Sequence, residues 1–197
     1  MAKRKKTART TQRHRALDVL FEADERGLLD GDDLRVLLSE RREVSTAQVP
    51  IGDFGAEIVE TVAENGDNID TMIEAASEGW ALDRMNAVDR SILRGGSAEL
   101  MFMGTPRSAV VTEWASLARE FSTDKSVGFV MGVLNRVDDL RRRELGLAPV
   151  GGGRSAGAAD TREHSAEDAL LAAARNGDVE IVSSDKEAGD TAEADHE

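Results

Sequence analysis

Seven of the first fifteen residues are Lys or Arg (Lys3, Arg4, Lys5, Lys6, Arg9, Arg13 and Arg15), and none is Asp or Glu. Cations at this density bind polyanions. A guanidinium presents a fork of N–H donors that matches a phosphate, and an ammonium adds a mobile point charge. The rest of the chain has the opposite sign. Residues 16–147 carry 14 cations against 26 acids, residues 148–197 carry 4 against 12, and the total formal charge is −13. A positive site on a negative body points to nucleic acid held at one end and repelled elsewhere.

Other chemistries find little support. There is no Cys, and His14, His164 and His196 are scattered. No Gly-rich phosphate loop or nucleophile elbow is present. Asp32-Asp33 and Asp138-Asp139 read as helix-end or surface charge. The sequence therefore predicts no catalytic residue, no metal site, no cofactor and no enzymatic activity. Aromatic residues make up only 4% of the chain and Tyr is missing, which argues against a broad base-stacking platform. The apolar run Val127 to Leu134 is interrupted by Gly and too short for a bilayer. The basic start has no apolar region behind it, as a secretory signal would. A cytoplasmic protein without membrane attachment is the expectation.

The elements that must position these cations are helices. Apolar residues recur at helical spacing throughout, and no segment alternates as a half-buried strand does. A first helix is predicted over about Thr11–Arg26, with Leu17, Leu20 and Phe21 inward, Asp24 near the same face, and Gly27 as its stop. A short second helix follows Asp32. Phe54, Ile58 and Val62 mark a third, closed by Asn65-Gly66, and Ile69, Met72, Ile73 and Ala76 a fourth, closed near Gly79. A fifth runs over about Ala87–Met103. Pro106 opens a sixth, carrying Val110, Trp114, Leu117 and Phe121. Ser122 or Thr123 caps a seventh that buries Val127, Val130, Leu134 and Val137 and reaches about Leu145. The fold class is all-α, about seven helices over residues 11–147, preceded by a flexible basic arm over 1–10. Residues 148–197 change character. Gly, Ala and Ser dominate the linker, and the acidic, small-residue remainder predicts a mostly disordered tail. Ser165 to Arg175 reads as a capped but marginal helix within it.

The residues from Trp80 to Val137 carry a resemblance. Trp80-Ala81-Leu82-Asp83-Arg84-Met85 is followed by Val88-Asp89-Arg90-Ser91-Ile92-Leu93-Arg94, Glu99-Leu100, Pro106, Val110-Val111-Thr112-Glu113 and Leu117-Ala118. Phe121-Ser122-Thr123-Asp124-Lys125-Ser126-Val127-Gly128-Phe129-Val130-Met131-Gly132-Val133-Leu134 closes the series. In order and spacing these segments resemble the NusB family of transcription antitermination factors. The basic lead into Ala16-Leu17-Asp18-Val19-Leu20-Phe21 is similar to the family's Arg-rich first helix. The match covers roughly residues 9–145. It implies two packed helical bundles, binding to the boxA element of single-stranded ribosomal-RNA leader transcripts, and a partner in NusE, a small-subunit ribosomal protein. Family members commonly have Lys at Gly128, Asn at Met131 and an Asn-Glu-Ala sequence where this chain has Thr112-Glu113-Trp114. Arg94-Gly95-Gly96-Ser97-Ala98 replaces an apolar stretch. Two helical Gly cost about 1 kcal/mol each relative to Ala, so that segment is either soft or closely approached by a neighbour.

With that resemblance the expected RNA-binding residues are Arg9, Arg13, Arg15, Phe21, Lys125 and Phe129. The arginines lie in the first turns of a helix, where positive side chains oppose the dipole; a phosphate satisfies both them and the exposed N–H groups. Phe129 lies off the apolar line of its helix and is a candidate for stacking a base. Phe21 is expected to be mainly core with an exposed edge, and Trp80 and Trp114 fit core packing. A separate face is expected to meet the NusE-like partner through Trp80, Arg84, Asp89, Arg90, Arg94 and Glu113, with Glu113 ion-paired to Arg90 or Arg94. Binding of both tethers the transcript to the transcribing RNA polymerase complex. The competing reading is a helical protein–protein adaptor whose acidic surface takes a basic partner. The acidic tail is also a candidate competitor for the basic arm.

Overall fold

Ala16, Leu17, Leu20 and Ala23 share one stripe of the first helix, α1 (Ala8–Arg26), and all four are buried. Gly27 ends it at a φ of +69°, which lets the Leu28 N–H reach back to the Ala23 carbonyl at 2.8 Å. The helix starts three residues earlier than the composition suggests. The structure, a computed structural model, describes residues 8–44 and 49–148. Lys3, Arg4, Lys5, Lys6 and the acidic tail with its expected helical segment lie outside the described residues.

Five further α-helices follow among the described residues: α2 (Gly31–Glu43), α3 (Asp53–Ala76), α4 (Ala87–Met101), α5 (Arg107–Phe121) and α6 (Asp124–Glu144), with a 3-10 turn at Leu82–Arg84. The architecture is all-α. The expected third and fourth helices are one continuous α3. The break predicted at Asn65-Gly66 survives as a kink: Asn65 has φ −127° and ψ 20°, and its side-chain amide donates to the Thr61 carbonyl at 3.0 Å. Asn86 caps α4 by accepting from the Asp89 N–H at 2.8 Å, and Thr123 caps α6 by accepting from the Ser126 N–H at 3.2 Å.

Helices α1, α2 and α3 pack on one another, and α4, α5 and α6 form a second group; α4 also packs against α1 and α3. A single apolar cluster runs through both groups. Helix α4 is its axis, since every residue from Ser91 to Leu100 is buried. Such a helix needs thin places. A Cβ on Gly95 would lie 2.7 Å from Trp114 Cζ2 and nearer still to Cη2, and one on Gly96 would lie 2.8 Å from a Leu134 methyl. The paired glycines are therefore seats for the α5 indole and an α6 leucine. The paired glycines of α4 and the tryptophan of α5 are two sides of one contact.

Candidate nucleic-acid interface

Three contacts fix the beginning of α1. Thr10 donates its hydroxyl to Glu113 Oε2 on α5 at 2.6 Å. Arg13 makes a two-pronged pair with Glu99 on α4, both bonds 2.7 Å. The Arg9 and Arg13 guanidinium carbons stand 4.9 and 5.2 Å from the ring centre of Phe54 at the start of α3. The first turns are thus tied to α3, α4 and α5 at once.

Of the three expected RNA-binding arginines, Arg9 is exposed and Arg15 is half-buried. Arg15 donates to Asp18 at 2.9 Å and to His14 Nδ1 at 3.1 Å. Arg13 is a correction. It is 4% exposed, and Glu99, fully buried, holds its guanidinium in the core. Glu99 also accepts from the Trp114 indole N–H at 2.8 Å. Arg13 is not available to a phosphate; it anchors the helix that carries Arg9. Its inward direction was readable, because Arg13, Leu17 and Leu20 follow the spacing of one helical face. Glu99 sits seven residues after Ile92 on the buried stripe of α4, the corresponding sign of a buried partner. Phe21 is 38% exposed, and it shares a face with His14 and Asp18 by helical spacing. His14 packs against Phe121, with ring centres 4.7 Å apart.

Lys125 and Phe129 lie elsewhere, in a groove of about 450 Å³ that they share with Trp80, Arg84 and Asp89. Residues assigned from sequence to RNA and to a protein partner therefore line one hollow. Trp80 is a second correction: it is 53% exposed, not core, whereas Trp114 is fully buried. The Trp80 and Phe129 ring centres are 6.3 Å apart with planes inclined at 53°. Arg84 stands 5.8 Å above the Trp80 ring. Asp89, on the floor, accepts from the Asn86 side-chain amide at 2.6 Å and from the Ser126 hydroxyl at 2.7 Å, both through Oδ2.

Arg90 and Arg94 are a third correction. Neither pairs with Glu113. Arg90 binds both oxygens of Asp24 and the carbonyls of Leu82 and Met85. Arg94 binds Asp24 at 2.7 Å and both oxygens of Asp70 at 2.8 Å. Burial pushes the Asp24 carboxyl up, but the hydrogen bonds and charges of the two arginines outweigh it and hold the group below its ordinary 3.8. Burial likewise opposes the Arg94 charge, and Asp70 and Asp24 restore it and raise it further. The two arginines close one side of a hollow of about 790 Å³ whose rim carries the acids Asp67, Glu74 and Asp83. Asp70 carried no sequence signal beyond its place on a helix, because its partner lies 24 residues away.

The model of the NusB family matches residues 10–139. The transcription antitermination protein NusB of Streptomyces griseus subsp. griseus is 44% identical over 144 residues, covering 70% of this chain and 98% of that protein. The corresponding protein of Kineococcus radiotolerans is 41% identical over 135 residues, 68% of this chain and 95% of the relative. Among solved structures, T. maritima NusB superposes with a TM-score of 0.56 at 28% identity, over 68% of this chain and 93% of that one. A crystal structure of the antitermination factors NusB and NusE in complex with dsRNA gives 0.55 at 26% identity, over 67% and 96%. With two thirds of its length matched by the family model and its helices laid out as in solved members, this chain belongs to the NusB family of transcription antitermination proteins.

Proposed function

We propose that the protein binds boxA-like single-stranded leader RNA of ribosomal-RNA operons together with a NusE-like ribosomal protein, and so keeps RNA polymerase transcribing through terminators. The observation that carries this reading is the exposed Arg9, on a helix start tied to three other helices, in a chain whose relatives are antitermination proteins. The NusB–NusE structure with dsRNA supports both partners. Phosphates meet Arg9 and the basic residues before it. Arg15 adds to them by exchanging Asp18, at a half-buried surface where such a pair is weak.

The NusE-like partner belongs at the acidic rim of Asp67, Glu74 and Asp83, which suits a basic protein. Arg90 and Arg94 brace that rim through Asp24 and Asp70 and do not themselves reach the partner. Glu113 serves the RNA side, by holding Thr10. The role is one of binding, without catalysis, and its place is the cytoplasm, where transcripts are made; no helix among the described residues is long and apolar enough to cross a membrane.

The test is RNA affinity against salt. Neutralising about four phosphates gives a log–log slope of about −3 on a single strand. Arg9→Ala reduces that slope by about one phosphate contact. An affinity indifferent to salt rejects the reading.

A further inference from the structure

A further hollow, of about 540 Å³, opens between the turn at Gly104 and Pro106, the first turns of α5 and the last turns of α6. It lies near the start of α1, because Glu113, which holds Thr10, is the chain neighbour of Thr112 on its wall. Its charge is unlike that of the acidic body: Arg107, Arg141 and Arg142 line it against one acid, Asp138. Arg107 is taken up by Asn135 at 2.7 Å and Asp139 at 2.5 Å. Arg142 is not. Among the described residues it forms no ion pair, and its bond from Nε to the Ala148 carbonyl at 2.8 Å leaves its terminal nitrogens for a ligand. Arg141 is held loosely, 3.9 Å from Asp138 Oδ1. Basic residues suit the carboxyl end of a helix, which accounts for their sign and not for the hollow beside them. Two features of the walls ask for a ligand. Pro106 gives α5 no side-chain cap, so the first N–H groups of that helix lack an acceptor from it. Asp138 is 4% exposed, and its Oδ2 has no hydrogen-bond donor, with Arg107 standing off at 3.6 Å. A buried oxygen in that state costs free energy, and a ligand bringing a hydroxyl recovers it.

A ligand that fits must accept at the start of α5 and donate at Asp138. A ribonucleotide does both, the first through its phosphate and the second through its 2′-hydroxyl. We infer that this hollow seats a nucleotide of the transcript outside the boxA-like element, with its phosphate on the start of α5, Arg141 and Arg142 and its 2′-hydroxyl on Asp138 Oδ2. The inference rests on the RNA-binding reading above and extends it to a flanking stretch of the same strand. Nearness to the start of α1 favours the transcript over a free nucleotide as the occupant, since a strand held at Arg9 is already at hand. The contact reads no base edge, so it is indifferent to the sequence of the flank. It selects ribose over deoxyribose, because the hydroxyl that meets Asp138 is the group DNA lacks.

The experiment compares two single-stranded RNAs on the full chain: the boxA-like element alone, and the same element with its leader flanks on both sides. The flanked RNA is expected to bind more tightly. Arg142→Ala removes much of that advantage and lowers the log–log salt slope on the flanked RNA by about 0.7, the share of one phosphate on a single strand, while the short RNA binds as before. The variant is expected to keep its melting temperature, since among the described residues it gives up one bond to a carbonyl. A single 2′-deoxy substitution walked through the flanks weakens binding at one position about tenfold, the worth of one hydrogen bond to a charged group. That walk leaves the buried Asp138 unaltered and so reads the hydroxyl contact in the native fold. An Arg142→Ala variant that weakens both RNAs alike, or neither, overturns the inference, and so does a deoxy walk with no sensitive position. Weakened binding of a NusE-like protein by Arg142→Ala with native affinity for the flanked RNA also overturns it, by giving the hollow to a protein. In each of these cases a loss of short-RNA affinity in Arg9→Ala leaves the RNA reading standing. No binding of either RNA by the native chain overturns both.

Discussion

Arg13 and Glu99 lie 86 residues apart in the chain and close a two-pronged ion pair in the core, 4% and 0% exposed. Among the described residues this is the ion pair that joins the start of α1 to α4. Removing one member of a buried pair strands the other charge, at a cost of about 3–5 kcal/mol. Glu99→Gln keeps the volume and loses the charge, so its urea midpoint should drop by an amount corresponding to that figure. A loss under about 1 kcal/mol would show that the pair is a passive contact.

Gly95 and Trp114 make a second pair whose removal has a definite sign. Alanine is the better helix former by about 1 kcal/mol, yet a methyl at residue 95 collides with the indole, and overpacking costs typically about 1–3 kcal/mol. Gly95→Ala is therefore net destabilising in the native chain. In a Trp114→Leu background the collision is relieved and the same substitution becomes neutral or stabilising. A double-mutant cycle by thermal melting measures the coupling; additive effects contradict the contact.

The Asp24 cluster sets a pH dependence. Its carboxyl is held below the ordinary 3.8 in the folded protein by Arg90 and Arg94. The unfolded chain thus takes up this proton at a higher pH than the folded one. The stabilisation is fully present above about pH 5 and declines as pH falls through 4 toward the folded value. Asp24→Asn lowers stability at pH 7, and the gap between variant and native protein narrows below pH 4. A gap that is constant from pH 7 to pH 3 is the contrary result.

Much of this was legible in the chain, for identifiable reasons. Helix ends followed local chemistry: Gly27 with its positive φ, Thr123 as a cap, Pro106 before α5. The stop at Asn65-Gly66 failed as a stop because packing on both sides carries α3 through it; Ile58, Val59 and Val62 before the kink and Ile69 and Ile73 after it are all buried. The site was less legible. Composition marks an arm as basic without saying which of its cations turns inward; only the helical spacing of Arg13 with Leu17 and Leu20 carried that signal, and Arg13 did turn inward. Trp80 follows the Glu78-Gly79 turn, where both residues have positive φ, so no helical period told which way it faced. The pairing of Arg90 and Arg94 with Asp24 and Asp70 is a fact of tertiary packing, over separations of 66, 70 and 24 residues that no local pattern reports.

The exposed end of α1 makes a separable prediction. The Arg9 guanidinium lies over the Phe54 ring and forms no ion pair among the described residues, so Arg9→Ala should change stability no more than an ordinary surface substitution does, by about 0.5 kcal/mol. Leader-RNA affinity should fall several-fold at low salt and much less at high salt. Equal loss at both salt concentrations indicates a shape contact and not a charge contact.

The most direct measurement is the affinity of the full chain for a ribosomal leader transcript, by fluorescence anisotropy, with and without a NusE-like protein. The account predicts binding of the leader in preference to a scrambled RNA of the same length, and tighter binding when the second protein is present, because the linked contacts raise the effective concentration. Equal affinity for leader and scrambled RNA, unchanged by the partner, would contradict it.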